Sequence, residues 1–385
     1  MTTPLPTTTL QLHSLIAADG TLTLSLQEVP LPALGADEVL IRVEAAPINP
    51  SDIGNVFGPA DLGTLQAGGT ADRPVLTARV PDRALAALIA QGPVAGRVGK
   101  PMPMGNEGAG TVIAAGAAPE AQALLGKRVA ALGGSMYATY RALPASQCLK
   151  LPDDATAAEG ASCFVNPLTA LGMVETMRRE GHTALVHTAA ASNLGQMLNR
   201  ICLKDGIGLV NIVRSPAQAA LLQGQGAQHV VDSSAPDFMA KLGDALFATG
   251  ATIGFDAVGG GTLASQILQA MEAALLRKAT EYSRYGTSIH KQVYLYGSLD
   301  VSPTTIHRSV GMSWGVGGWL LWPAMARLGP ARVAELKARV AAELRSTFAS
   351  HYAGTLSLAQ VLQPAQVARY GHRATGAKFL VLPQG

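Results

Sequence analysis

A short apolar strand, Thr183–His187, runs straight into the turn Thr188-Ala-Ala-Ala-Ser-Asn-Leu-Gly195, and a helical pattern follows from Ser192 to Lys204. Small side chains at a strand-to-helix turn let backbone amides approach a pyrophosphate, and a helix N-terminus adds favourable partial charge. The residues that would meet the phosphates are Ala190, Ala191, Ser192, Asn193, Leu194 and Gly195. Of the GxGxxG pattern only the last glycine, Gly195, is kept, so a turn built purely for packing accounts for the same residues. Context favours a nucleotide, because the turn opens a βαβ unit whose second strand, Gly208–Val213, ends at Arg214. An acid at that second strand end suits a ribose 2′-hydroxyl, whereas arginine suits a 2′-phosphate. No carboxylate occurs between Asp205 and Asp232, so Arg214 points to NADPH over NADH; a solvated residue at a strand terminus is the alternative.

The elements that must hold this turn are legible around it. After Pro152 helices alternate with apolar strands: Pro216–Gln225, Pro236–Leu246 and Ala157–Glu180 read as helices, and His229–Val231, Thr252–Asp256 and Gln292–Tyr296 as strands. Such alternation marks a doubly wound parallel sheet. Before Pro152 the pattern is β-like. Val39, Ile41 and Val43 alternate with Leu40, Arg42 and Glu44, and further strands read at Gly110–Ala115, Arg128–Leu132 and Gln147–Leu151. The segment Gly376–Leu382 reads as one more strand, expected to return to this first domain. Two stretches fit neither texture: Gly58–Met104, with an apolar helix candidate, and the polar, Tyr-containing Leu275–Lys291.

Composition narrows the classes. The 385 residues suit two domains; with only 14% charged residues disorder is excluded, and with a formal charge of +3 and no block of like charges a nucleic-acid partner is not expected. Mean hydropathy is +0.23. The uncharged run most worth testing as a span, Ser309–Ala326, is broken by four glycines and Pro323, so it predicts a buried, Trp-rich helix or loop and no membrane span. No secretory leader is visible, and Cys148, Cys163 and Cys202 lack CxxC spacing, which predicts a protein of a reducing, cytoplasmic compartment.

The segments EVLIRVEAAPINPSD (38–52), GNEGAGTVIAAG (105–116), GKRVAAL (126–132), NPLTALGMVE (166–175), FDAVGG (255–260), VYLYGSL (293–299) and TGAKFLVL (375–382), with the turn above, resemble the medium-chain dehydrogenase/reductase superfamily. The likeness is to its zinc-free branch of NADPH:quinone oxidoreductases and, more distantly, 2-enoyl thioester reductases. It implies an α/β protein: a GroES-like β-rich catalytic domain from 1–160 and 346–385, with insertion 58–104, around a Rossmann NADP-binding domain at 161–345, with insertion 275–291. It further implies a homodimer, and cofactor contacts at Thr169, Asp256, Tyr296, Gly297 and Ser298 besides the turn and Arg214.

Zinc-dependent relatives carry a Cys where this chain has Asn49, a His where it has Asn106, and a third ligand near Asn166. Amides are poor zinc ligands, so the resemblance implies metal-free chemistry. Hydride transfer to a quinone or other α,β-unsaturated carbonyl fits, since the charge delocalises onto an oxygen that a few donors stabilise. Asn49, Asn106 and Asn166 are expected to form a polar patch beside the nicotinamide. The enoyl reductases' Tyr after the NPSD motif is missing from Ile53–Asp61; of Tyr137, Tyr140, Tyr282 and Tyr285, which could replace it, Tyr282 and Tyr285 are the better candidate proton donors, with a subunit interface or loop role as the alternative. Thioester reduction, and a cofactor-holding protein with little catalysis, stand as competing readings. Trp314, Trp319 and Trp322 could wall an aromatic pocket or simply pack.

Overall fold

The computed structural model describes residues 4–371 and 378–385; Thr375, Gly376 and Ala377 of the C-terminal motif lie outside the described residues. The chain forms two compact units, residues 1–165 with 340–385, and residues 166–339.

In the first unit, β1 (Thr8–Ile16) and β2 (Thr21–Pro30) form an antiparallel hairpin. The 58–104 stretch extends it, adding β4 (Asp61–Gly69), β5 (Pro74–Arg79), α2 (Asp82–Ala90), α3 (Gly92–Ala95) and β6 (Met102–Pro103). The resulting sheet has the order β4-β5-β2-β1-β6. The sequence foresees the helix here but not the β4-β5 hairpin, whose Gly-rich strand lacks apolar alternation. The second sheet contains β3 (Glu38–Pro47), β7 (Glu107–Ala115), β8 (Arg128–Leu132), β9 (Tyr140–Pro144), β10 (Cys148–Lys150), β19 (Gly354–Ser357) and β20 (Phe379–Leu382). Its order is β10-β8-β7-β3-β20-β19, with β9 also on β3. Val39, Ile41 and Val43 are wholly buried, as their alternation predicts. Short helices α1 (Pro50–Phe57), α4 (Pro119–Gln122), α5 (Ala157–Gly160), α12 (Leu358–Val361) and α13 (Pro364–Tyr370) connect the strands.

The second unit has six parallel strands: β11 (Ala184–His187), β12 (Gly208–Val213), β13 (His229–Asp232), β14 (Ile253–Asp256), β16 (Lys291–Leu295) and β18 (Trp314–Gly318). The order is β13-β12-β11-β14-β16-β18. Sequence order therefore reverses between β11 and β14, where doubly wound sheets take dinucleotides at the strands' carboxyl ends. Helices α6 (Val165–Arg179), α7 (Asn193–Asp205), α8 (Pro216–Gly224), α9 (Phe238–Thr249), α10 (Leu263–Leu276) and α11 (Leu321–Ala342, bent at Gly329) alternate with them. A separate parallel pair joins β15 (Gly259–Gly261) to β17 (Asp300–Thr304).

One expectation is corrected. Ser309–Ala326 is not a buried helix or loop: it contains the edge strand β18, and Trp322 is 56% exposed. Glycines in WGVGG hide a strand that is fixed by pairing with β16 rather than by side-chain pattern. The 275–291 stretch leaves α10 and returns at β16. Buried Glu272 closes it, accepting from Thr287 N and Oγ1 at 2.8 Å each and from Lys291 Nζ at 2.5 Å.

Candidate functional site

The turn after β11 is built by its neighbours. Thr188 is wholly buried; its Oγ1 donates to Asp256 Oδ1 at 2.7 Å and accepts from Ala257 N at 2.8 Å. Asp256 also accepts from Val258 N and Gly259 N. Its carboxylate thus ties together the turns after β11 and β14. Ala189 has φ 51°, the left-handed conformation that a fingerprint glycine adopts without strain. Ala190 and Ala191 are buried, Ser192 caps α7 by accepting from Gly195 N at 3.1 Å, and Asn193 and Leu194 form the first helical turn, half-buried. A Cβ on Gly195 would stand 2.2 Å from the Ala190 carbonyl oxygen, so the helix reaches the turn only because position 195 is glycine. Arg214 is exposed at the end of β12. The acid on the neighbouring strand, Asp232, accepts from Ser234 N and Oγ through Oδ1.

At the carboxyl ends of β16 and β18 lies a cavity of about 390 Å³. It is lined by Tyr296, Gly297, Ser298, Trp319 and Arg327, among others. Gly297 is required here: a Cβ would come within 2.5 Å of Ala257 O. Trp319 Nε1 donates to Thr176 Oγ1 and meets Phe255 edge-on, while Trp314 is half-buried on β18, so the three tryptophans do not share one wall. Behind Tyr296, His187 Nε2 lies 2.7 Å from the phenol oxygen, with the rings stacked 5.7 Å apart. Burial pushes the His187 pKa down to about 3, so the imidazole is neutral. Thr169 is buried on α6.

In the first unit two buried carboxylates bring Asn49 and Asn106 together. Asn49 precedes Pro50 at the start of α1, and Asp52 accepts from Asn49 N and Asn106 N at 2.9 Å each. Glu107 accepts from Asn49 Nδ2 at 2.8 Å, and from Phe164 N and Val165 N at 2.8 and 2.9 Å. Asn106 Nδ2 donates to Ser51 Oγ. Burial raises Asp52 to about 7 and raises Glu107 as well. The buried Lys378 ammonium lies within electrostatic reach of Glu107, Asp52 and Cys163, yet burial lowers its pKa to about 8. Tyr137 is fully buried, donating to Pro47 O. Asn166 belongs to the other unit, where it is buried on α6.

Tyr282 and Tyr285 are not brought to either cluster. They are 93% and 59% exposed between α10 and β16, with the Arg284 guanidinium over the Tyr285 ring. Sequence reasoning misses Asp52, Glu107 and Lys378. Asp52 had a local signal, an acid three residues after an Asn N-cap. Glu107 and Lys378 had none, because they come within electrostatic reach only through sheet pairing.

This arrangement is the α/β fold of the medium-chain dehydrogenase/reductase superfamily, a GroES-like β-rich unit and a doubly wound parallel sheet, and the resemblance read from the motifs is borne out. No family model matches the chain. A crystal structure described as an NADPH:quinone reductase from Mesorhizobium loti is 27% identical, with TM-score 0.70, covering 99% of this chain and 100% of its own. A mycobacterial protein solved in complex with NADPH has TM-score 0.63 at 20% identity, over 97% of this chain and 100% of its own, a likeness of fold alone. Mitochondrial enoyl-[acyl-carrier-protein] reductase of Bos taurus is 27% identical over 212 residues, 54% of this chain. The chain spans about half the length of the curated relatives it matches.

Proposed function

We propose that the protein is an NADPH-dependent oxidoreductase that reduces a quinone or other α,β-unsaturated carbonyl. The observation that carries this reading is the turn closed by Gly195 at the point of strand-order reversal, with exposed Arg214 at the end of the next strand. The residues fit the cofactor: small side chains and the α7 N-terminus suit a pyrophosphate, and Arg214 suits a 2′-phosphate. NADPH, when bound, supplies the hydride. Thr188 and Asp256 hold the turn's shape, Tyr296, Gly297 and Ser298 wall the cavity that would take the nicotinamide end, and Asp52 and Glu107 fix Asn49 and Asn106 as a polar patch. The reduced acceptor gains one hydride at carbon and one proton at the conjugated oxygen or α-carbon.

The amides at positions 49 and 106 make this a metal-free reading, because they are weak donors to zinc. Three scattered cysteines without CxxC spacing support the reading of a reducing, cytoplasmic compartment. A homodimer through the β18 edge is part of the proposal; that edge strand is unpaired on one side, with exposed Leu320 and Trp322 just beyond it. The second reading, 2-enoyl thioester reduction, is favoured by the likeness to the Bos taurus enzyme. Acceptor-dependent NADPH oxidation decides between them: turnover with small quinones and enones supports the first, and turnover with crotonyl-type thioesters alone supports the second. Tight NADPH binding without turnover on any of them would leave a cofactor-holding protein.

A further inference from the structure

His187 ends β11 and is wholly shut from solvent. Its Nε2 pairs with the Tyr296 hydroxyl at 2.7 Å, and the two rings stack at an interplanar angle of 20°. Its other nitrogen, Nδ1, has no hydrogen-bond partner among the described residues. Across the β11-β12 ladder the register partner of His187 is Asn211, so the two side chains share one face of the sheet. Asn211 Nδ2 donates to Asn199 Oδ1 of α7 at 3.2 Å, which leaves Asn211 Oδ1 and Asn199 Nδ2 buried without partners. Turning both amides over leaves the same surplus, one donor and one acceptor. Three unsatisfied polar atoms on adjacent elements of a packed interior are costly to leave without partners. One small guest that accepts from the unpaired amide N–H, donates to the unpaired amide oxygen and pairs with His187 Nδ1 removes the whole cost, and water has that capacity.

We propose that His187, Asn199 and Asn211 hold a single internal water, and that this water makes His187 a positioning residue for the Tyr296 wall of the cavity. The guest accepts from His187 Nδ1–H, so the ring is held as that tautomer. Nε2 is then an obligatory acceptor, and Tyr296 must donate its proton to it. The phenol ring is thereby fixed in one orientation beside Gly297 and Ser298. This inference rests on the reading that the cavity takes the nicotinamide end of NADPH.

The test needs no variant at its first step. Nitrogen NMR of the full-length protein with labelled histidine should show His187 as the neutral Nδ1–H tautomer between pH 5 and 9; an Nε2–H tautomer, or titration in that range, overturns the proposal. NADPH affinity is then measured by cofactor fluorescence in the wild type, His187→Leu, His187→Gln, Tyr296→Phe and the His187→Leu/Tyr296→Phe pair, with thermal unfolding of each alongside. His187→Leu and Tyr296→Phe should each weaken binding by about fivefold, the double variant no further, and His187→Gln, which keeps an acceptor, should recover most of it. Additive losses, or loss of thermal stability with unchanged affinity, overturn the positioning role. Absence of NADPH binding by the wild type would instead defeat the cofactor reading, and the tautomer result stands apart from it.

Discussion

Glu107 accepts the side-chain amide of Asn49 at 2.8 Å with one carboxylate oxygen and two backbone amides, of Phe164 and Val165, with the other. Three segments remote in sequence are thus fixed by one buried carboxyl group. Glu107→Ala should strand these donors and destabilise the first unit by about 3–5 kcal/mol, whereas Asn49→Ala, which frees only one oxygen, should cost about 1–3 kcal/mol. Denaturant unfolding checks the order. If Asn49→Ala proved the more costly, Glu107 would not be the organiser. If Asn49→Ala and Asn106→Ala both kept full turnover and cofactor affinity, the polar-patch role would fall.

Asp52 gives that region a pH dependence of definite sign. Burial raises its pKa from 3.8 to about 7, so the folded chain binds this proton more tightly than the unfolded one. Its contribution to stability is full below about pH 4 and is lost as pH rises through about 7. Wild type should therefore lose on the order of a few kcal/mol across that window relative to Asp52→Asn, which lacks the ionisation. Parallel pH profiles of the two proteins would contradict this.

His187 gives the opposite slope. Its folded pKa of about 3 lies below the ordinary 6.5, so its contribution is full above pH 6.5 and is lost as pH falls towards 3. Acid unfolding of His187→Gln should begin at lower pH than that of the wild type, as read by far-ultraviolet circular dichroism. An unchanged or higher midpoint would exclude a buried neutral imidazole as the acid-labile group.

Gly195 is where the nucleotide turn is most brittle. A methyl group there would overlap the Ala190 carbonyl at 2.2 Å, and that contact is backbone, which cannot swing away. Gly195→Ala should displace the first turn of α7 and weaken NADPH binding by roughly 100-fold or more, about 3 kcal/mol. Calorimetric titration reads it directly; retained affinity would mean that the phosphates bind elsewhere.

Much of this was written locally in the chain. The alternation of helices with β11, β12, β13, β14 and β16 and the small-residue turn at 188–195 follow from periodicity and residue size, and Val39, Ile41 and Val43 are buried as their spacing predicts. What was not legible depends on partners distant in sequence. The β18 strand is Gly-rich and exists because β16 offers it hydrogen bonds. Glu107 and Lys378 come within electrostatic reach because β20 pairs with β3, which pairs with β7. Ala189 looks like a lapse from the glycine fingerprint, yet its backbone adopts the glycine conformation.

The central claim is that Arg214 marks an NADPH enzyme acting on conjugated carbonyls. The most direct measurement is the steady-state oxidation of NADPH and NADH by wild type and Arg214→Ala with a small quinone as acceptor. The account predicts quinone-dependent turnover with a preference for NADPH of roughly tenfold or more in kcat/KM, falling towards parity in Arg214→Ala. No quinone-dependent oxidation, or a cofactor preference that Arg214→Ala leaves unchanged, would contradict it.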